Sequence, residues 1–133
     1  MKKDLQDKLF SEYPKIFKQK DLSPQETAMC WGIACGDGWF DLIDTLCKSI
    51  RHHIKYSKKE ISFEATQVKE KWGGLRFYYD GGDDYIEGMV DLAESLSYKI
   101  CDVCGNPGKP SNKGWIAVRC EEHKEVIRAI SEK

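Results

Sequence analysis

Hydrophobic residues at the N-terminal end of the chain recur mostly at intervals of three or four, the spacing of one face of an α-helix. These positions are Leu5, Leu9, Phe10, Tyr13 and Phe17. Proline lacks an amide proton, and its ring clashes with the preceding turn of a helix. We therefore expect Pro14 to split this segment into two short helical pieces.

Two further helices are predicted before residue 60. Ser23 and Pro24 combine an N-cap residue with a proline at the first helical position, and Glu26 stands where it can reach back to the cap. This helix should end near Gly36, where glycines turn the backbone. A second helix follows at once, and its apolar stripe consists of Trp39, Phe40, Ile43, Leu46, Cys47, Ile50 and Ile54.

From Ile61 the hydrophobic period changes to two, which is typical of β-strands. Gly73 and Gly74 separate two such runs and are a strong signal for a hairpin turn. We expect a β-meander whose hairpin places Trp72 opposite Leu75. A helix after this hairpin is predicted by apolar residues at Ile86, Met89, Val90, Ala93 and Leu96.

Together these elements predict an α+β fold in which helices pack on a small antiparallel β-meander. At 133 residues the chain suits one compact unit. We expect residues 1–98 to form a helical and β-hairpin core. Residues 99–133 should form a zinc-binding module packed on that core.

The cysteines near the C-terminal end are spaced like metal ligands. Cys101 and Cys104 form one pair with two intervening residues, and Cys120 and His123 form a second. This spacing lets a tight turn aim both donors at one ion. We expect a structural Zn²⁺, because four protein ligands leave no position for a reactive water. A knuckle, a hairpin and a ligand-bearing helix over residues 124–130 would make a treble-clef-like Cys3His module; the alternative is a chance grouping.

The overall charge is nearly balanced, with 21 Lys and Arg against 22 Asp and Glu. This balance disfavours the uniform basic field of non-specific nucleic-acid binding proteins, although a local basic patch is compatible with it. The sequence contains no apolar run of signal-peptide or membrane-spanning length. We therefore expect a soluble, intracellular protein whose remaining thiols are reduced.

One face of the predicted hairpin gathers cationic and aromatic side chains: Lys69, Lys71, Arg76 and Tyr78. Ammonium and guanidinium groups bind phosphate, and a tyrosine ring can stack on a base. We therefore predict that this face binds a nucleotide or another anion. The alternative is that it is only the solvated side of a sheet. Glu70 falls in the apolar row and needs a partner if it is buried.

Weaker patterns have structural explanations that we favour. Cys30, Cys35 and Cys47 with His52 and His53 could form a second metal site or a Cys/His nucleophile pair. A free cysteine is, however, more often a buried small hydrophobe. The two histidines are most simply explained as helix-surface residues.

Two loops rich in glycine and aspartate also have simple explanations. Segment 36–39 could bind an anion on the amides of the following helix, but Asp37 opposes this and a capped turn is favoured. The acidic segment 80–84 lacks the spacing of a calcium loop. We expect it to form a loop with a helix cap.

Several motifs together resemble a family of small bacteriophage and prophage proteins with a C-terminal treble-clef-like zinc finger. They are Gly-Asp-Gly-Trp at 36–39, Val-Lys-Glu-Lys-Trp-Gly-Gly-Leu-Arg-Phe-Tyr at 68–78, Cys-Asp-Val-Cys-Gly at 101–105, and Trp115 with Cys120 and His123. The likeness spans most of the chain. It implies a setting, the bacterial host cytoplasm during phage infection, but no established activity and no functional residues that could be transferred.

The residues and this setting predict a non-enzymatic accessory protein that binds an anionic ligand, such as a nucleotide signal of host defence, on the hairpin face. A host protein is another expected partner, and a membrane is not. The alternative is a protein or nucleic-acid interaction module in which the zinc module itself makes the contact. Its contact residues would be Trp115, Lys109, Lys113 and Arg119. A hydrolase or nuclease is disfavoured, because no histidine-rich or acidic group accompanies an open metal position.

Overall fold

Three α-helices and five short strands make up the described part of the chain, which is residues 1–111 and 114–126 of a computed structural model. The helices are α1 (Lys3–Glu12), α2 (Phe40–Tyr56) and α3 (Asp84–Ser97). The strands are β1 (Ile33–Ala34), β2 (Phe63–Lys71), β3 (Gly74–Gly81), β4 (Lys109–Pro110) and β5 (Val118–Arg119). Short 3₁₀ helices cover Lys18–Asp21, Met29–Trp31, Asp37–Trp39 and Glu121–His123.

The larger sheet has the order β1-β2-β3. β2 and β3 are antiparallel, whereas β1 runs parallel to β2 with Ile33 beside Val68. The predicted α+β class is therefore confirmed, but the sheet is mixed rather than a purely antiparallel meander. Its third strand comes from residues 33–34 and not from the segment around Ile61.

The hydrophobic core lies between this sheet, α2, α3 and the N-terminal segment. α1 ends at Glu12, before Pro14, so the predicted break at the proline is confirmed, although a turn and a 3₁₀ helix follow it instead of a second α-helix. The ring of Phe17 lies 6.4 Å from that of Phe77 on β3. The largest fully buried side chains are Trp39, Tyr13, Phe17, Phe77, Leu9, Met29, Ile33, Ile43, Ile50, Leu75, Ile86 and Val68.

The predicted helix from Ser23 to Gly36 is wrong. The Ser23 carbonyl accepts hydrogen bonds from the amides of Glu26 and Thr27, so one turn forms as the capping pattern suggests. The hydroxyl of Thr27 then accepts the amide of Met29, which competes with helix continuation. Gly32 adopts a positive φ of 78° and leads into β1. Pairing with β2 thus outweighs the local helix signal.

The hairpin turn lies one residue earlier than the sequence suggests. Trp72 and Gly73 are its two central residues, with φ of 54° and 85°, as a type I′ turn requires. Glu70, not Trp72, therefore pairs with Leu75. Gly74 has a different role, because a Cβ atom there would overlap the Tyr98 ring. Trp72 therefore lies in the turn and is 70% exposed, whereas the strand residues of the hairpin keep their predicted faces, because this shift moves the pairing by two residues.

α3 lies along the outer edge of β3 and provides hydrogen-bond acceptors for two of its amides. The Leu75 amide donates to Ser97 Oγ at 2.9 Å, and the Phe77 amide donates to Glu94 Oε2 at 2.8 Å. The Ser97 hydroxyl donates in turn to the Glu94 carbonyl. This helix therefore contributes both an apolar face to the core and hydrogen-bond partners to the sheet.

Candidate metal centre and the neighbouring groove

The four predicted metal ligands lie together in the structure. Cys101 and Cys104 follow α3, Cys120 follows β5, and His123 lies in a 3₁₀ turn. Their donor atoms all lie within 4.8 Å of one another. The Cys104–Cys120 sulfur distance is 3.7 Å and the Cys101 Sγ to His123 Nδ1 distance is 3.8 Å. A tetrahedral ion with metal–sulfur bonds of about 2.3 Å separates its ligands by about 3.7 Å, so the arrangement is compatible with a metal site.

The knuckle around Cys101 favours a thiolate. Burial of the Cys101 thiol opposes its ionisation, but the backbone amides of Cys120, Cys104 and Val103 outweigh burial and lower its pKa to about 7. Gly105 follows with a φ of 83°, and its amide donates to the Cys101 carbonyl. The turn therefore presents amide protons to sulfur, as metal-binding knuckles require.

At Cys104 the surroundings favour the neutral thiol over the thiolate. The amide of Asn106 favours its thiolate, but desolvation and the neighbouring thiols of Cys101 and Cys120 raise its pKa. Three sulfur atoms this close repel one another once they are ionised. A bound cation would remove that repulsion, which is why a divalent metal suits this donor set.

A buried ion pair lies directly beside the ligands. Arg119 Nε donates to Asp102 Oδ1 at 2.6 Å, and both side chains are almost fully buried. Burial raises the pKa of the Asp102 carboxyl, and Arg119 acts against this rise. Another Arg119 nitrogen donates to the Val126 carbonyl. Arg119 is only 8% exposed, so its predicted role as a surface contact residue is wrong.

The metal module docks on the 3₁₀ helix that immediately precedes α2, through a contact that the sequence did not reveal. The Gly38 amide donates to the Asp102 carbonyl at 3.0 Å, and Trp39 Nε1 donates to the Ile100 carbonyl at 2.9 Å. A Cβ atom at Gly38 would overlap the carbonyl oxygen of Cys101. Both motifs were visible in the sequence, but nothing in their spacing indicated that they touch.

A groove of about 410 Å³ lies between the hairpin tip and the loop that precedes β5. Trp72 and Trp115 are 70% and 76% exposed, which is unusual for such large apolar side chains. Ile116 packs against the turn, where a Cβ atom on Gly73 would meet its side chain. The groove is lined by Lys69, Glu70, Lys71, Trp72, Gly114, Trp115 and Ile116.

The four predicted ligand residues do not all lie in the same surroundings. Lys69 and Lys71 line the groove. Arg76 lies opposite Lys69, and its guanidinium donates to the Leu75 carbonyl and to the Tyr98 hydroxyl. Tyr78 lines another pocket, together with Glu26 and Asp80 among others. The tryptophans of the groove were not among the predicted ligand residues, although Trp115 stood in the alternative hypothesis.

Glu70, which the sequence placed in the apolar row, has a backbone partner. Its Oε2 accepts the amide of Gly73 at 2.7 Å. The carboxylate therefore holds the hairpin turn that carries Trp72. The Glu70 side chain also lines the groove, beside the two lysines.

The comparisons with known proteins leave the geometry as the basis for function. No protein-family model, curated protein or solved structure matches the chain.

Of the alternative contact residues, Lys109 is exposed in β4, and Lys113 lies outside the described residues. The predicted terminal helix over 124–130 also lies largely outside them; its first described residues form a turn.

The other cysteines do not join the histidines. Cys35 and Cys47 are fully buried, and burial raises the pKa of Cys35 to about 12 and also raises the pKa of Cys47. His53 instead bonds to Asp83, whose other oxygen accepts the Ile86 amide and caps α3. Among the described residues, only the Cys3His group could hold a metal ion. Because Asp83 caps α3, the segment 80–84 supplies a helix cap, as expected.

None of the described helices combines the length and the apolar character that a membrane crossing requires. Their apolar residues form stripes on amphipathic faces, as in α2, rather than continuous runs.

Proposed function

We propose that this is a non-enzymatic binding protein that holds an anionic, aromatic ligand such as a nucleotide in the groove of Lys69, Lys71, Trp72 and Trp115. One observation carries the proposal: two exposed tryptophans and two lysines line the same groove. Among the described residues, no carboxylate forms an ion pair with either lysine.

The chemistry of these side chains suits a nucleotide. An ammonium group binds phosphate as a compact charge, and an indole face stacks on a base. Stacking contributes about 1–3 kcal/mol per base in single-strand binding proteins. Arg76 and Tyr78 have other surroundings, so they contribute less to this groove than the hairpin face alone suggested.

We further propose that the metal is Zn²⁺ and that its role is structural. Three thiolates and an imidazole are a donor set that zinc favours, and four protein ligands fill a tetrahedral shell. Elemental analysis of the purified protein should find one zinc per chain, and Cys104→Ser/Cys120→Ser should lose it. Stoichiometric iron that survives in place of zinc would contradict the assignment.

The proposed setting is the cytoplasm of a bacterial host during phage infection, and the proposed ligand is a nucleotide signal of host defence. This rests on the resemblance of the motifs at 36–39, 68–78 and 101–105 to small phage and prophage proteins. Sequestration of such a signal needs a binding site and no catalytic group.

Isothermal titration calorimetry with ATP, a cyclic mononucleotide and a cyclic dinucleotide tests the groove. We expect at least one of them to bind, and Lys69→Ala/Lys71→Ala to weaken its binding about tenfold or more, because each charge-assisted contact contributes about 1.5–3 kcal/mol. Trp115→Ala should weaken it by a similar factor through lost stacking. Lys48→Ala/Lys99→Ala, which removes two lysines outside the groove, is the matched control.

The alternative function gives a different result in the same experiment. An interaction module would release no heat with any nucleotide, and would bind single-stranded DNA with an affinity that falls steeply with salt. That outcome would reject the nucleotide proposal. Equal weakening by the groove variant and its control would reject the groove as the site.

A further inference from the structure

A second cleft, of about 590 Å³, lies on a different part of the molecule, between the segment after α1, the C-terminal half of α2 and the start of β2. None of its lining residues lines the groove beside the metal module. This volume is within the range of about 300–1,000 Å³ that small-molecule sites occupy.

The floor of the cleft is apolar. Ile16 and Phe63 are buried in the core cluster, and Ile54 and Ile61 are half-buried against it. All four side chains line the cleft, and the two half-buried ones expose the most hydrocarbon to it. Burial of ligand carbons on such a floor contributes about 25 cal/mol per Å² of apolar surface removed from water.

The rim of the cleft is cationic. Four basic side chains line it against one carboxylate, that of Glu12. Arg51 is fixed by a bond to Glu12 at 3.1 Å and by its position over the Tyr13 ring, 4.7 Å from the centroid. The other basic side chains of the rim are Lys15, Lys18 and Lys55.

The rim keeps an excess of positive charge after its own pairings. Lys18 pairs with Glu64 at 2.8 Å. Within the described part of the chain, Lys15 and Lys55 form no ion pair with a carboxylate. A ligand with one negative end could therefore contact these two lysines while its carbon chain covers the floor.

We propose that this cleft binds a small amphiphilic carboxylate, with its hydrocarbon on Ile16, Ile54 and Ile61 and its carboxylate between Lys15 and Lys55. An apolar floor with cations confined to the rim is complementary to such a molecule. A highly charged phosphate ligand would leave the floor uncovered, and a neutral hydrocarbon would leave the lysines unused.

Sodium decanoate, below its micelle concentration, is the probe. It is titrated into the metal-loaded full chain while the isoleucine methyl signals are followed by NMR. Decanoate should shift the methyl signals of Ile54 and Ile61. Decanol, which has the same chain without the charge, and acetate, which has the charge without the chain, should each bind about tenfold or more weakly.

Two variants test the two halves of the site. Lys15→Gln/Lys55→Gln changes only exposed side chains and should weaken decanoate about tenfold, whereas Lys48→Gln/Lys99→Gln should not. Ile61→Asp should abolish binding, with circular dichroism confirming that it folds. Decanol binding as tightly as decanoate, or shifts confined to other isoleucines, would overturn the proposal. So would an acidic amphipathic peptide that binds the cleft when decanoate does not.

Discussion

The two regions of the molecule, residues 1–98 and the metal module, are each stabilised by different forces. The buried apolar cluster that joins the sheet to α2 and α3 is drawn entirely from positions 1–93. In the described part of the module, the buried side chains are those of Cys101, Asp102, Ala117, Val118 and Arg119. Two of these five are charged. Burial of apolar surface therefore stabilises the core, whereas the module depends on its ligand cluster, one ion pair and its contact with the 3₁₀ helix before α2.

The two regions also supply different walls of the groove. The hairpin supplies Lys69, Lys71 and Trp72 from a sheet that the core holds in place. The module supplies Trp115 from a loop beside the metal ligands. Loss of the metal should therefore remove one wall of the groove and leave the other.

Metal removal should unfold the module and spare the core. Metal binding of this kind contributes on the order of 10 kcal/mol to folding, and little apolar burial replaces it here. Hydrogen exchange measured on chelated protein should show lost protection over residues 101–126 and retained protection in α2 and β2. Cys30→Ser, which changes a thiol outside the cluster, should keep its metal. Retained protection throughout the chelated module would show that the metal is not what stabilises it.

Phe77→Ala should destabilise the core and leave metal affinity unchanged in the folded protein. Phe77 is almost fully buried between Phe17 and Phe63, and truncation of such a ring costs about 3–5 kcal/mol. Chemical denaturation gives the change in free energy of unfolding, and competition with a chelator gives the affinity. Suppose instead that the metal affinity also drops at denaturant concentrations below the unfolding transition. The stabilities of the core and the metal module would then be coupled.

Gly38→Ala should loosen the contact between the regions. Its methyl group would overlap the Cys101 carbonyl, and such overpacking costs about 1–3 kcal/mol. Gly88→Ala is the matched control, because nothing lies within 4 Å of a Cβ atom there and the residue is inside α3. The control should gain about 0.5–1 kcal/mol from its helix propensity. Equal effects of the two substitutions in thermal unfolding would contradict the proposed docking contact.

Glu64→Gln should have the smallest effect. Hydrogen bonds from Gln19 and from Lys18 lower the pKa of Glu64, so its carboxylate stabilises the fold above the unfolded-state pKa. That contribution is lost as the pH falls through the lower folded-state pKa. The substitution should cost at most about 1 kcal/mol at neutral pH and nothing in strong acid. A cost in urea unfolding that persists in strong acid would show that packing, not charge, is responsible.

The metal ligands could be predicted because their signal is local. Two residues between Cys101 and Cys104, and again between Cys120 and His123, determine where a tight turn directs its donors. Strand alternation likewise gave the correct faces for the strand residues of the hairpin, but not for Trp72, which lies in the turn. The terminal helix predicted after His123 stays a prediction beyond residue 126.

The parts that could not be predicted depend on distant neighbours. Gly74 looked like a turn residue, but it is small because Tyr98 lies against it. The segment from Ser23 carries a helix start and yet pairs with β2 through Ile33. The contact of Gly38 with the knuckle joins positions more than sixty residues apart. None of these contacts leaves a periodic pattern in the sequence.

The two hydrogen bonds from α3 to the edge of β3 have a consequence for self-association. An open edge strand presents unpaired amides that another chain can extend into a continuous sheet. Here Ser97 and Glu94 occupy those amides, and a carboxylate stands where a second strand would dock. Fraying of the last turns of α3, without global unfolding, would then be enough to expose the edge of β3 to pairing with another chain. Substitutions in those turns should therefore affect colloidal behaviour at high protein concentration before they affect the melting temperature.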